Sequence, residues 1–376
     1  MKYEPIVYRM AFAALKGING ALAQEILART GGEEAFFSAS ASQLGAMLGY
    51  GIRILDDEYR AQLLEKAARE ADFVAAHNIA TLYFTDSGYP ARLTDCEDAP
   101  LMLYGAGRCG LNDRLAVGIV GTRHATPYGL DFTERLVQGL AESMEEPPVI
   151  VSGLAFGIDI AAHRAALKHG LPTVAVLAHG LNTIYPAQHR QTAAQIVRSG
   201  GMLLTDYTSA DAVHKGNFIA RNRIVAGLCD CIVVAESAEK GGALITARLA
   251  ADYNRDVFAL PGRTSDRYSA GCNHLIATST AALVTGADDV IAAMGWKKKK
   301  AQPVQKELFA TLSEEEQAVV DYLTLHGDAQ INQLTVALNM SAGKLMGLLI
   351  DMEFKGLVIA FPGARYRLAS PPKLLN

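Results

Sequence analysis

Short apolar segments alternate with longer segments of mixed polarity through the middle of the chain. Six of the apolar segments are nearly uninterrupted, as expected for strands that are buried on both faces of a sheet. The segments between them are long enough for helices, and this alternation is typical of a parallel sheet that is covered on both sides. The predicted strands are residues 116–120, 149–151, 173–178, 202–204, 232–235 and 257–260.

The pattern changes on either side of this central region. Residues up to about 75 are helix-rich, and Gly17, Gly20 and Gly31 interrupt the apolar positions. After Val290, a basic connector at 296–303 precedes a further helix, for which Ser313 is the predicted N-cap. Helices at 331–338 and 341–354 follow, and then a hairpin around Pro362 and Gly363. Three helices and a two-stranded wing resemble a winged-helix domain.

The loops that follow the predicted strands are where functional residues are expected, because open parallel sheets bind ligands at the carboxyl ends of their strands. Several of these loops are rich in glycine and precede helices, so their backbone N–H groups can approach anionic oxygens closely. One long anionic ligand could contact all of them. The loops are residues 121–124, 152–159, 179–182, 215–223 and 240–246.

The stretch from Lys215 to Arg223 contains three cations, one aromatic residue and two amides, and it contains no acid. Asn217 is a predicted N-cap, which would direct the N–H groups of the next turn toward the same anion as the cations. Phe218 offers a flat face, and a base stacked on an aromatic ring contributes about 1–3 kcal/mol whatever its identity. These features favour a single nucleic-acid strand, although a core phenylalanine on a solvated basic helix fits the pattern equally well.

The overall charge does not attract a polyanion. The chain has 35 basic and 39 acidic residues and a formal charge of −4, so any binding must come from a local patch. The five cysteines have no metal-ligand spacing, and Cys229 and Cys231 are predicted to lie at the buried start of a strand. With no apolar run of membrane-spanning length and no leader pattern, we expect a cytoplasmic protein.

Nucleotide cofactors are disfavoured by the motifs that are missing. No G-x-G-x-x-G follows the first strand of the parallel set, and no G-x-x-x-x-G-K-[ST] occurs in the chain. Asp159 and His163 would share one face of a helix, but they lack a third partner for catalysis or metal binding. We expect a structural role, in which Asp159 caps the helix and His163 bonds a neighbouring backbone group.

Six motifs follow one another in unbroken order between residues 80 and 290. They are Gly121-Thr122-Arg123, Ser152-Gly153-x-Ala155-x-Gly157-Ile158-Asp159 with His163, Gly180-x-x-x-x-Tyr185-Pro186, Phe218-x-x-Arg221-Asn222-Arg223, Leu244-Ile245-Thr246-Ala247-Arg248 and Leu260-Pro261-Gly262. Such an ordered series is far more specific than any single motif. It closely resembles the DNA-processing protein A family, DprA, which is also called Smf.

The resemblance implies an α/β fold with an extended Rossmann-like parallel sheet as its core, a small N-terminal helical domain and a C-terminal winged-helix domain. The predicted boundaries are 1–78 for the helical domain (helix-hairpin-helix or sterile-alpha-motif-like), 79–295 for the Rossmann-like domain, 296–310 for a basic linker and 311–376 for the winged helix. In that last domain, the helix that would read DNA has only Lys344 against Asp351 and Glu353, which favours a protein contact over duplex DNA.

The resemblance also implies a protein without catalytic residues, cofactor or metal. It would bind single-stranded DNA, protect incoming DNA, and pass the strand to the RecA recombinase during natural transformation. It would form a homodimer through the Rossmann-like domain, for which the segment 270–290 is the predicted seam. The residues that match the family's DNA pocket are Arg123, Lys215, Phe218, Arg221, Asn222 and Arg223. We add Thr122, Asn217 and three glycines whose backbone would approach the strand, Gly153, Gly157 and Gly242.

An enzyme on nucleoside monophosphates is the alternative. Phosphoribohydrolases share this variant of the fold and carry a Pro-Gly-Gly-x-Gly-Thr loop with a glutamate near it. The corresponding stretch here is Glu239-Lys240-Gly241-Gly242-Ala243-Leu244, and Glu236 and Glu239 are the only acids within range.

Overall fold

The computed structural model describes residues 2–49, 56–299 and 312–369. The chain forms two compact units, residues 1–300 and 301–376, so the N-terminal helices and the central sheet belong to the same unit. The finer domain boundaries at residues 78 and 295 stay predictions. Residues 300–310 of the predicted linker lie outside the described residues. Its first part packs onto the first unit, because Lys299 N–H donates to Ser143 O at 2.7 Å.

Five helices form the N-terminal part of the first unit. Their core contains Phe12 and Phe36, whose rings meet edge to face at 5.4 Å. The same core continues onto Tyr83 and Tyr104 of the sheet, which explains why the helices and the sheet form one compact unit. The helices are α1 (Pro5–Ala13), α2 (Gly20–Thr30), α3 (Glu33–Ser38), α4 (Ala41–Leu48) and α5 (Asp57–Ala76).

A nine-stranded sheet forms the centre of the first unit. Its strands are β1 (Ala80–Tyr83), β2 (Met102–Gly107), β3 (Ala116–Gly121), β4 (Val149–Ser152), β5 (Thr173–Val176), β6 (Met202–Thr205), β7 (Cys231–Glu236), β8 (Asp256–Ala259) and β9 (Ala282–Leu283). The helices around it are α6 (Ala91–Thr94), α7 (Pro127–Ser143), α8 (Ile158–Lys168), α9 (Arg190–Arg198), α10 (Lys215–Leu228), α11 (Ala243–Asp252), α12 (Ala270–Ala277) and α13 (Ala287–Ala293).

The six predicted strands are confirmed as β3 to β8 and pair in parallel. Alternate residues of β3 enter two different cores, with Val117 and Ile119 on one face and Ala116 and Val120 on the other. Burial on both faces is the reason for the apolar runs. The sequence did not predict β1 and β2, which add two antiparallel pairings at one edge.

The order of the strands is β1-β2-β6-β5-β4-β3-β7-β8-β9, so the chain builds outward from β3 on one side and then on the other. Helix α10 carries the chain from β6 back across the sheet to β7. The loops after β3, β4 and β7 therefore meet at the point where the strand order reverses. This switch point is where open α/β sheets bind their ligands.

The second unit has the predicted winged-helix pattern. Ser313 caps its first helix in a capping box with Glu316, as predicted, and Leu345 and Leu349 are fully buried in its core. A third strand completes the wing, in the antiparallel order β10-β12-β11. The elements are α14 (Glu314–His326), β10 (Asp328–Gln330), α15 (Ile331–Ala337), α16 (Ala342–Phe354), β11 (Val358–Phe361) and β12 (Arg365–Leu368).

Among the described helices, none alone has the length and apolar character needed to cross a membrane; α15 and α16 reach that threshold only when counted together, across a bend of 112°.

Candidate nucleic-acid interface

A helix capped by Asn217 would begin at Phe218. Helix α10 begins one turn earlier, at Lys215. His214 is the N-cap, and its Nδ1 accepts a hydrogen bond from Gly216 N–H at 3.1 Å. The prediction that Asn217 caps the helix is wrong, because the extended backbone of His214 already places an acceptor over the first turn. The amide of Asn217 instead donates to Ala212 O at 3.3 Å.

The switch point contains a pocket of about 320 Å³, which we call the rim pocket. Loops after β3 and β7 form its two sides, and α10 closes it. Its volume lies at the lower end of the range of about 300–1,000 Å³ for small-ligand sites. Six of the predicted site residues line it: Thr122, Arg123, Phe218, Arg221, Asn222 and Gly242.

Exposed Arg123 and half-buried Phe218 lie together at the outer side of the rim pocket. The Arg123 guanidinium carbon lies 5.3 Å from the centroid of the Phe218 ring, within the distance of a cation–π contact. Tyr185 meets the same ring edge to face at 5.7 Å and is 50 % exposed. A cation and two aromatic rings therefore lie side by side at the surface. Tyr185 was not among the predicted site residues, although it belongs to the Tyr185-Pro186 motif.

Lys215 lies at the start of α10, one turn before Phe218. Its side chain is exposed, and within the described parts of the chain it forms no ion pair. An ammonium group in this position is free to pair with an anion that approaches the rim pocket.

Arg221 is not presented to solvent, and its predicted direct contact with phosphate needs correction. Its side chain is 4 % exposed, and Nη1 donates to Gly153 O at 2.7 Å and also to Val176 O. Three residues after Phe218, the helix has turned this side chain toward the sheet. Arg221 therefore joins the carboxyl ends of β4 and β5 from within.

Protein packing requires a glycine at two of the predicted positions, Gly153 and Gly157. A Cβ atom at Gly153 would overlap the Arg221 guanidinium, and one at Gly157 would overlap Thr122 O. Gly157 also has a φ of +76°, a conformation that favours glycine. Gly242 differs, because nothing lies within 4 Å of the position of its Cβ. Its backbone is open to a ligand at the first turn of α11.

Arg223 points away from the rim pocket. It pairs with Asp206 at 2.5 Å and donates to Asp98 O, and it faces a different cavity of about 940 Å³. The predicted set is thus divided. The rim pocket collects Arg123, Phe218, Asn222, Thr122 and Gly242, with Arg221 beneath them. Lys215 and Asn217 lie one turn outside, and Arg223 lies on another face.

A buried layer supports the pocket. The Asp159 carboxylate accepts backbone hydrogen bonds at Gly153 and Ala155; burial raises its pKa, and the nearby Arg221 opposes that rise. His163 Nδ1 lies 2.7 Å from Thr173 Oγ1, and burial lowers its pKa to about 3. The prediction that Asp159 caps α8 is wrong, because Gly157 is the N-cap and Asp159 holds the loop before the helix. His163 bonds the hydroxyl of Thr173, where a backbone partner was predicted.

Glu236 and Glu239, the acids that a phosphoribohydrolase would use, lie in different environments. Glu236 is buried and accepts a hydrogen bond from Thr126 N–H at 2.8 Å, so its carboxylate caps the start of α7. Glu239 is exposed in the loop after β7. Over the described residues, no group of three or more His, Cys, Asp or Glu side chains is arranged to hold a metal ion.

The parallel sheet and the reversal of strand order define a Rossmann-like protein, and the glycine-bearing pocket at the switch point is its candidate ligand site. The chain belongs to the family described as DNA recombination-mediator protein A, whose model matches residues 80–295. The resemblance of the motifs to DprA is thereby confirmed, and the phosphoribohydrolase alternative is not favoured.

Relatives cover most of the chain. DNA processing protein DprA of Streptococcus pneumoniae is 41 % identical over 207 residues, which span 55 % of this chain and 71 % of the relative. Protein Smf of Synechocystis is 34 % identical over 295 residues, 77 % of this chain and 72 % of the relative.

Two solved structures share the fold. The X-ray structure of DprA from Streptococcus pneumoniae has a TM-score of 0.64 and 31 % identity, and the match covers 78 % of this chain and 98 % of that one. DprA from Helicobacter pylori, described for its binding of single-stranded DNA, has a TM-score of 0.52 and 32 % identity, over 58 % of this chain and 97 % of that one.

The buried position of Arg221 predicts a large effect on stability. Arg221→Met leaves Gly153 O, Val176 O and the Asp159 carboxylate without their partner, so we expect a loss of about 3–5 kcal/mol in the free energy of unfolding. Lys215→Met removes an exposed cation from the same helix and should change it by less than about 0.5 kcal/mol. Urea denaturation of both variants measures the difference, and equal losses would contradict the assignment.

His163 predicts a pH dependence of stability. Its pKa falls from the ordinary value of 6.5 to about 3 on folding, so the unfolded chain binds the extra proton between these values. Stability is therefore fully present above pH 6.5 and is lost as the pH falls toward 3, with a slope of up to about 1.4 kcal/mol per pH unit. His163→Gln should flatten the curve of unfolding free energy in this window, which urea denaturation at several pH values measures. A variant whose stability falls as steeply as that of the parent would contradict the prediction.

Proposed function

We propose that this chain binds single-stranded DNA at the rim pocket and acts as a mediator that delivers the strand to a recombinase. The observation that carries the proposal is the pairing of exposed Arg123 with half-buried Phe218, beside the open backbone of Gly242, in a chain of the recombination-mediator family. A guanidinium and an aromatic ring bind phosphate and base through different forces, and neither force selects a particular base.

A single strand suits the pocket better than a duplex. Stacking on Phe218 or Tyr185 requires a base that is not paired with a second strand. The Arg123 guanidinium can contact the phosphate or stack on the base. Lys215 is one helical turn away and would neutralise the next phosphate. The related Helicobacter protein is described as binding single-stranded DNA, which supports the same ligand class here.

The course of the strand beyond the pocket follows the positive side chains. A second cavity of about 460 Å³ adjoins the rim pocket and shares Arg123 and His124 with it. Arg164 adds a cation there, and the one acid on its lining, Glu134, is already paired with Lys168 at 2.5 Å. We infer that the strand runs from Lys215 over Arg123 toward Arg164. A local track of this kind is sufficient despite the net charge of −4.

The remaining parts of the proposal follow the family. The protein acts in the cytoplasm without catalysing a reaction, protects incoming DNA and loads a RecA recombinase during natural transformation. It forms a homodimer through the Rossmann-like domain, for which the segment 270–290 offers the edge strand β9 with Leu283 51 % exposed.

Charge reversal at the rim pocket tests the proposal. Arg123→Glu and Lys215→Glu should each abolish gel shifts of a single-stranded oligonucleotide, because a carboxylate replaces a phosphate-binding cation. Arg198→Glu is the matched control, since Arg198 is exposed and ends the helix before β6, at the opposite end of the strands. Equal shifts by all three variants and the parent would refute the assignment, provided that circular dichroism shows the parent fold.

Salt dependence gives an independent test. Each neutralised phosphate releases counterions, so the logarithm of the binding constant should fall linearly with the logarithm of salt concentration. Removing one contact, as in Lys215→Gln, should reduce that slope by about 0.7 for a single strand. Fluorescence anisotropy at several salt concentrations measures the slope. An unchanged slope would mean that Lys215 contacts no phosphate.

A further inference from the structure

The first turn of α11 brings two backbone donors without acceptors to the rim pocket. Leu244 N–H donates to Gly241 O and Ile245 N–H donates to Gly242 O, both at 3.1 Å. The N–H groups of Gly242 and Ala243 have no acceptor among the described residues, and no side chain there caps the helix. Gly242 and Ala243 both line the pocket, so the positive end of the helix dipole lies against it.

The side chain of Thr246 is a second, independent sign of a ligand at the same place. Thr246 lines the rim pocket and is 2 % exposed, and over residues 2–49, 56–299 and 312–369 its hydroxyl makes no hydrogen bond. Side chains of a helix tilt toward its N-terminus, and residues four apart share a face, so Thr246 lies on the side of Gly242. A buried hydroxyl without a partner is unfavourable, which favours a partner that arrives with the ligand.

The charges around these donors favour an anion. Arg123 lies across the pocket, in the loop after β3. Asp159 is the one acid among the described residues of the lining, and the nearby guanidinium of buried Arg221 balances its charge. Glu239 and Lys240 are both exposed just before α11, and their charges offset each other. The charge of Arg123 therefore remains for a ligand.

We propose that Gly242, Ala243 and Thr246, which we call the α11 cradle, hold one phosphate group of the bound strand. The two N–H groups and the Thr246 hydroxyl donate to its free oxygens, and the Arg123 guanidinium lies on the other side. The inference rests on the proposed function and adds to it the position of one phosphate. A helix N-terminus binds phosphate without regard to the base, so the cradle fixes the position of the strand beside Phe218 without selecting its sequence.

Thr246→Val replaces the hydroxyl by a methyl group and tests the cradle. The dissociation constant for a short single-stranded oligonucleotide, measured by fluorescence anisotropy, should rise about tenfold, because a hydrogen bond to a charged group is lost. Thr246→Ser keeps the hydroxyl and should retain most of the affinity. Thr133→Val is the matched control, since Thr133 is fully buried on α7 and its hydroxyl donates to Gly129 O at 2.7 Å. That variant should bind the oligonucleotide as the parent does.

Urea denaturation separates a role in binding from a role in the fold. Thr246→Val removes a hydroxyl that is buried without a partner, so its unfolding midpoint should equal or exceed that of the parent. Thr133→Val removes a hydrogen bond inside the protein and should lower the midpoint. A Thr246→Val variant that loses stability together with affinity would assign the hydroxyl to the fold and overturn the proposal.

A neutral phosphate analogue identifies the group that the cradle binds. A methylphosphonate at one position of the oligonucleotide lacks the charge and one of the free oxygens. Scanned along the strand, it should at one position weaken binding by the parent about as much as Thr246→Val does, and the two changes together should cost no more than either alone. Losses that add at every position would overturn the phosphate assignment.

Inorganic phosphate separates the cradle from the proposed function. Its titration should shift the amide signals of Gly242 and Ala243 in nuclear magnetic resonance spectra of the full chain, and Thr246→Val should reduce these shifts. If Thr246→Val binds the oligonucleotide as tightly as the parent, the cradle is refuted and the rim pocket keeps its proposed ligand. If inorganic phosphate shifts both signals but the parent binds no single strand, the proposed function fails, and the strand is refuted as the ligand of the cradle.

Discussion

The buried guanidinium of Arg221 is the constraint on which the candidate site depends. Parallel strands end with carbonyl groups that need donors, and at the switch point three loops leave the sheet within a short distance of one another. Arg221 supplies donors to Gly153 O and Val176 O from a helix that crosses the sheet. Its charge is balanced by the buried Asp159, which in turn holds N–H groups of the loop before α8.

The support that Arg221 and Asp159 give from below explains why few side chains are needed at the outer side of the rim pocket. Arg123 and Phe218 do not need extended hydrogen-bond networks to position them, because the backbone that carries them is already fixed by the buried layer. The overlap that a Cβ at Gly153 or Gly157 would produce shows how tightly the loops are packed. Gly242 is the exception, and it is the glycine whose backbone faces open space. Rigid support below and open space above is the arrangement that a preorganised binding site requires.

Much of the fold could be predicted from the sequence, because burial on both faces leaves a nearly continuous apolar run for each parallel strand. The site could be predicted only in part. The basic stretch of α10 has cations at Lys215, Arg221 and Arg223, and composition does not reveal the rotation of the helix about its axis. The structure turns Lys215 to solvent, Arg221 into the sheet and Arg223 toward Asp206. The sequence did not identify His214 as the N-cap for a related reason. The start of a helix is uncertain by about a turn, and both His214 and Asn217 carry an acceptor that could cap it.

The two units of the chain carry opposite surface chemistry. The first exposes cations and aromatic rings at the rim of a sheet, whereas the second exposes Met346, Ile350 and Phe354 on a helix flanked by acids. A chain with a net charge of −4 and a short basic track gains little from long-range attraction to DNA. Under the proposed function, affinity for a strand comes from short-range contacts at the rim pocket, where base stacking on Phe218 and Tyr185 adds to the neutralisation of phosphate by Arg123.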